Sequence, residues 1–409
     1  MVWLHGGGFS AGSSQELKSY DGENLSRRGD VVVVSLNHRL NVLGHLNLAA
    51  YGGKYASSAN VGMLDIVAAL EWVRDNIGRF GGDPSNVTIF GQSGGGGKVS
   101  TLMAMPAAKG LFHKAVVESA TGLRVATAAM TAKVAAETLA GLGLSASQAD
   151  QLQQVPYEKL LAAADAAYRK LQPAADTGGI RVVNRGERQG YAPSVDGRII
   201  PAQPFDPHGP EVSASVPLLI GTVLNEMTTA TSHPEYENMT EAEVRRRVNT
   251  GYPGKGDKIV DAYRKVYPNA KWFDVLSFIS ATYQRHDSIT QATRKAAQGG
   301  APVYMYLFAW QTPVLDGRPR AFHCAELAFV FDNTDRCAPM TGGTAEARAL
   351  AAKVSDAWIH FARTGDPGHP GLPKWPAFQE KQPAVLYFDN KCEVKFDPEK
   401  EARRVLIEG

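Results

Sequence analysis

Residues 87–95 read Val87-Thr88-Ile89-Phe90-Gly91-Gln92-Ser93-Gly94-Gly95, an apolar run that stops at a Gly-x-Ser-x-Gly pentapeptide. A helix-compatible stretch, Lys98 to Met105, follows. A serine on so sharp a strand-to-helix turn has its hydroxyl pushed out of the sheet. Glycines flank it because side chains there would collide with the neighbouring strand and helix. Taken alone the pentapeptide is a weak signal, since a glycine-rich turn after a strand is often only a turn.

A second motif strengthens it. Val2-Trp3-Leu4 runs into His5-Gly6-Gly7-Gly8-Phe9. The backbone N–H groups of such a loop point at the oxyanion that forms when a serine attacks a carbonyl. The pair of motifs implies acyl transfer through an activated serine. A phosphate loop is the rival reading, because residues 94–98 are GGGGK. That pattern needs Gly five residues before the Gly-Lys pair and Ser or Thr after the lysine. Gln92 and Val99 stand there instead. Ser93 also breaks the G-x-G-x-x-G spacing of a dinucleotide site.

The strand before the pentapeptide has company. Val31 to Leu36 is a continuous run that reads as a strand buried on both faces, as in a parallel sheet covered by helices. Val61 to Asn76 reads as an amphipathic helix with Leu64, Val67, Ala68 and Trp72 on its apolar side. Further strands fall at 114–118, 216–221, 302–310 and 384–389, with a long helix over 345–363. Alternating strands and helices predict α/β architecture. Residues 122–185 are Ala- and Leu-rich and read as short helices, and 240–300 are again helical and polar. We expect one domain over 1–409 with helical insertions at about 122–210 and 228–300.

At 44% hydrophobic and 21% charged, the 409 residues suffice for a large core, and a net charge of +2 argues against a nucleic-acid partner. No apolar run reaches membrane-spanning length and no signal peptide is visible, which leaves both a cytoplasmic and a secreted location open. The three cysteines, Cys324, Cys337 and Cys392, have no zinc spacing, and their odd number argues against a disulfide framework. Neither a metal nor an organic cofactor is expected.

A serine nucleophile needs a base, and the base an orienting acid. Glu226 follows the strand at 216–221, and His323 follows the strand at 302–310. His38, His45, His113 and His286 compete as the base; Cys324 beside His323 reads as packing.

At this point the chain resembles the type B carboxylesterases, the family of bacterial para-nitrobenzyl esterases, mammalian carboxylesterases and cholinesterases. The matching text is VWLHGGGF (2–9), VVSLNHRLNVLG (33–44), ANVGMLDIVAALEWVRDNIGRFGGDPSNVTIFGQSGG (59–95), GTVLNEMT (221–228), AFHCAEL (321–327) and WIHFARTGDP (358–367). The resemblance implies an α/β-hydrolase fold, a mostly parallel sheet covered by helices, and hydrolysis of a small-molecule ester. It implies Ser93 as nucleophile, Glu226 as triad acid and His323 as base, with Gly7, Gly8 and Gly94 supplying oxyanion N–H groups. It makes Arg39 and Asp65 a structural ion pair. Phe9, Gln92 and Met227 are candidates for the substrate pocket. The base implies activity rising through one ionisation at about pH 6 to 7.

The departures carry expectations too. The family usually has Glu before the nucleophile and Ala after it, where this chain has Gln92 and Gly94. Met227, Thr228 and Thr229 stand where cholinesterases place aromatic residues, so choline esters are not the expected substrates. Amide, thioester or carbamate hydrolysis by the same residues stays open, and so does a non-catalytic recognition protein of the same fold. Met1 falls in the strand that delivers the glycine loop, where family members carry roughly a hundred preceding residues. The resemblance therefore implies a missing N-terminal segment and poor solubility.

Overall fold

The buried runs assemble into one eight-stranded sheet in a computed structural model that describes residues 1–120, 122–182 and 190–408. Its strands are β1 (Val2–Leu4), β2 (Val34–Ser35), β3 (Thr88–Gln92) and β4 (Lys114–Glu118), then, after a separate two-stranded ribbon of β5 (Ala126–Thr127) and β6 (Ser194–Val195), β7 (Leu218–Val223), β8 (Val303–Phe308), β9 (Ala384–Phe388) and β10 (Glu393–Phe396). The order is β10-β9-β8-β7-β4-β3-β1-β2, and every pair is parallel except β9 with β10.

Side chains alternate between two apolar layers, which is why each strand reads as an unbroken hydrophobic run. Val2, Leu4, Ile89, Val117, Ile220 and Met305 face one layer. Trp3, Phe90, Val116, Leu219 and Tyr306 face the other. Helices Val61–Asn76, Gly94–Leu102 and Trp272–Ala296 cover the first face; Leu327–Val330 and Ala345–Thr364 cover the second.

Three local expectations are corrected. The 31–36 run is not buried on both faces: its paired part is only Val34–Ser35, at the sheet edge, and Val31 to Val34 are half-buried. The Val61–Asn76 helix buries Met63, Ile66, Val67, Leu70 and Val73, while Ala68 and Trp72 face solvent. The true stripe is the i, i+3, i+4, i+7 series through Ile66. Helix Trp272–Ala296 is not a polar surface helix. Its Gln284, Arg285, Ser288, Gln291 and Lys295 are buried, Arg285 by an ion pair with Glu399. Strand β10 and helix Lys400–Glu408 were not visible in the sequence pattern.

In the first insertion, helices Ala128–Gly141 and Tyr157–Leu171 bring Val134, Leu139, Leu160 and Ala164 into the core under the first face. Residues 183–189 of that insertion lie outside the described residues. Arg39 and Asp65 form a bidentate pair, Nε–Oδ2 2.9 Å and Nη2–Oδ1 2.7 Å, and Asp65 also accepts the Arg39 backbone N–H.

Candidate active site

Parallel strands deliver their loops to the same edge, and ligands of open α/β sheets sit outside the carboxyl ends. Ser93 follows β3 directly, and Glu226 lies three residues beyond β7. His323 lies on the loop after β8, and His5 to Gly8 leave the end of β1.

Ser93 has φ 57° and ψ −120°, a conformation that L-residues avoid and that persists only when neighbours enforce it. Its N–H donates to the Glu118 carbonyl at 2.8 Å, and its carbonyl accepts the Gly97 N–H at 3.1 Å. The turn is thus held by β4 on one side and by the first turn of helix Gly94–Leu102 on the other.

Gly7 and Gly8 both take positive φ, 78° and 65°. Among the described residues, no hydrogen bond takes up the N–H of Gly7, Gly8 or Gly94. A Cβ on Gly94 would overlap the Gly8 backbone, so these two residues are in direct contact. Three unspent donors therefore cluster beside the serine. Below them Lys98, fully buried, donates from Nζ to the His5 carbonyl at 2.8 Å.

Glu226 and His323 are coupled twice. Nδ1 of His323 meets Oε2 of Glu226 at 2.6 Å, and the His323 backbone N–H donates to the Glu226 carbonyl at 2.9 Å. The other carboxylate oxygen of Glu226 accepts the Val223 N–H at 3.1 Å. Glu226 is itself buried and held at φ 49°. Burial pulls the imidazole pKa down, but the charge and hydrogen bond of Glu226 more than offset this, so the net shift is upward from the ordinary value. The arrangement suits a proton acceptor whose cation is stabilised from one side.

Ser93 Oγ makes no hydrogen bond to His323; Gln92, the residue before it, touches the imidazole instead, with Nε2 3.3 Å from the ring Nε2. Of the pocket candidates, Met227 is half-exposed beside Glu226, while Gln92 and Phe9 are buried. Phe9 packs edge-on against His45 at 5.3 Å and has the Lys98 ammonium 5.7 Å from its ring centre, so it supports the glycine loop from beneath. The competing histidines have other surroundings. His38 is buried against His5, its pKa pushed down to about 2 by burial and the charge of Lys98. His113 accepts the Val87 N–H, and His286 lies in helix Trp272–Ala296.

Behind the site the structure adds residues that sequence reasoning did not single out. Ser119 Oγ donates to Glu326 at 3.1 Å, and Trp358 Nε1 donates to Glu118 at 2.7 Å. Both carboxyls are fully buried; burial first, then the charge of Glu226, pushes Glu326 up to about 7, and burial first, then Glu326, pushes Glu118 well up. A glutamate ending the apolar run 115–117 was the available signal. Among the described residues no group of three or more His, Cys, Asp or Glu is placed to hold a metal, no helix is long and apolar enough to cross a membrane, and all three cysteines are free.

The profile of the carboxylesterase family matches residues 1–405, and the chain belongs to that family. Its relatives narrow the class further. The para-nitrobenzyl esterase of Bacillus subtilis (strain 168) is 36% identical over 412 residues, spanning all of this chain and 79% of the relative. The phenmedipham hydrolase of Pseudarthrobacter oxydans is 31% identical over 97% of this chain and 77% of its own length. Among solved structures, a Clostridium hathewayi esterase, described as able to hydrolyse aliphatic aromatic polyesters, superposes with a TM-score of 0.80. It is 37% identical, covering all of this chain and 78% of that one. A Geobacillus stearothermophilus carboxylesterase gives 0.78 at 33% identity, covering 99% and 81%. The fold is that of the α/β-hydrolases, and the protein is a carboxylic-ester hydrolase.

Proposed function

We propose that residues 1–409 form a single α/β-hydrolase domain, its insertions roofing the site, which cleaves small-to-medium neutral carboxylic esters through an acyl-enzyme on Ser93. The observation that carries this reading is the 2.6 Å contact of Glu226 with His323, on loops beside the strained Ser93 turn. The ester carbonyl oxygen enters among the N–H groups of Gly7, Gly8 and Gly94. His323 takes the Ser93 proton at Nε2, while Glu226 keeps the other proton on Nδ1 and stabilises the imidazolium. The oxyanion is held by N–H groups worth very roughly 3 kcal/mol each in the transition state. His323 then protonates the leaving alcohol, and water releases the acyl group by the same steps in reverse roles. No step calls on a metal or an organic cofactor.

Specificity follows from what surrounds the acid and the nucleophile. Gln92 is uncharged, and Met227, Thr228 and Thr229 offer no aromatic face to a quaternary ammonium. Lacking a cation–π contribution of about 1–2 kcal/mol, the site should turn over butyrylthiocholine about five- to thirtyfold less efficiently than para-nitrophenyl butyrate. A panel of nitrophenyl esters of rising chain length, a matched anilide and butyrylthiocholine tests this. Equal kcat/KM for the choline and neutral butyrates would defeat it. A thioester without the choline cation, added to the same panel, covers the activity named in the medium-chain fatty acyl-CoA hydrolase of Anas platyrhynchos, which is 32% identical, and separates the sulfur leaving group from the ammonium.

The oxyanion reading gives a separate expectation for Gly7→Ala. At φ 78° an added Cβ would overlap the Ala11 carbonyl, so the glycine loop must shift. Displacing one donor should lower kcat by about a hundredfold or more with little change in KM. Steady-state kinetics on para-nitrophenyl butyrate would show it, and a kcat within twofold of the parent would remove Gly7 from the oxyanion site.

A further inference from the structure

Gln92 is fully buried, and its amide bridges two neighbours on the loop after β8. Its Nε2 lies 3.3 Å from Nε2 and 3.5 Å from Nδ1 of His323, and its Oε1 accepts the Cys324 thiol at 3.2 Å. Both ring nitrogens are bonded to Cε1. A group almost equidistant from them in the ring plane would collide with that carbon, so the amide lies over the ring face. Nδ1 is committed to Glu226 at 2.6 Å, and the amide lies off the in-plane lone pair of Nε2, leaving that direction for a hydroxyl.

Cys324 is held at φ 77°, a strained value for a residue with a side chain. Burial, reinforced by Glu326 and Glu226, pushes its pKa well up, so it is a thiol that can donate to the amide oxygen. The amide is thus fixed at one end by the thiol and rests at the other on the imidazole. The charged groups that bear on the ring are Glu226 from the loop after β7, Glu326 from its own loop and Arg181 from residues 122–210; the Cys324 thiol meets the Gln92 amide. Glu118 lies behind Cys324, and Tyr283 faces Glu226.

We infer that Gln92 is a positioning residue for His323: it supports the imidazole face and, being uncharged, leaves the ring's basicity to Glu226. The inference rests on the proposed role of His323 as base. A carboxylate in the same place, the residue the family usually carries there, would put a second negative charge against the ring and raise the imidazole pKa further.

The experiment is the pH profile of kcat/KM for para-nitrophenyl butyrate with the parent, Gln92→Glu and Gln92→Met. In Q92E the acid limb should move to higher pH by about one unit or more. In Q92M, of similar length and no charge, the limb should stay within about 0.3 unit, while kcat falls several-fold at nearly constant KM because the thiol tether is lost. A folded, active Q92E with an unmoved limb overturns the inference. Should Q92E not fold, Q92M decides, and parental kcat in Q92M overturns it. Failure of the underlying reading looks different: the parent itself would then lack an ionisation in the histidine range.

Discussion

Ser93→Ala is expected to lower kcat for para-nitrophenyl butyrate by about a million-fold while leaving the melting temperature within a few degrees of the parent. The size follows from the route. Without the hydroxyl there is no acyl-enzyme, and the groups that serve it act as a unit, so the remaining residues recover little. The stability expectation follows from local geometry. Ser93 Oγ makes no hydrogen bond among the described residues, so its removal orphans nothing. Alanine bears the same Cβ at φ 57° and therefore the same backbone strain. A variant with more than about one per cent of parental activity would mean that another group carries the acyl transfer.

Glu226→Gln is expected to cost about ten-thousand-fold in kcat, with substrate affinity nearly intact. Oε1 of Glu226 accepts the Val223 N–H, so the glutamine oxygen is fixed there and its NH2 turns to His323. An NH2 facing Nδ1 requires that nitrogen to be the acceptor. The ring proton then moves to Nε2, the atom that must take the proton of Ser93. The imidazolium also loses its neighbouring charge. In the parent that charge raises the imidazole pKa, so kcat/KM should rise through an ionisation above the ordinary 6.5. In Glu226→Gln the limb should fall to lower pH as kcat collapses. Retention of a tenth of parental kcat would leave Glu226 a merely structural partner of His323.

What was legible in the sequence was whatever is encoded locally. Strands buried on both faces cannot alternate polar and apolar, so Ile89-Phe90, Val116-Val117 and Leu218 to Ile220 stand out as continuous runs. The carboxyl ends of β3 and β7 carry Ser93 and Glu226, and that of β8 the loop to His323, so finding the strands found the candidate residues. Edge elements were misread because they are half-solvated. Val31 to Val34 has the composition of a central strand but pairs only with β1, and β10 alternates Glu, Val, Lys and Phe, as a strand with one solvated face does, over only four residues. Contacts across the fold left no trace. Gln92 and His323 are 231 residues apart, and Ser119 and Glu326 are 207 apart, yet each pair meets because parallel strands bring their ends together. The closeness of Gly8 to Gly94 is equally invisible, although it gives a physical reason why this chain has glycine after the nucleophile.

Treating the 409-residue protein with a fluorophosphonate and mapping the adduct by peptide mass spectrometry decides whether Ser93 is the acylated group. One adduct per chain is expected, on the peptide containing Ser93, formed faster as pH rises through the ionisation of His323 and absent in Ser93→Ala. An adduct on Cys324 or any other residue, or labelling that persists in Ser93→Ala, would contradict it.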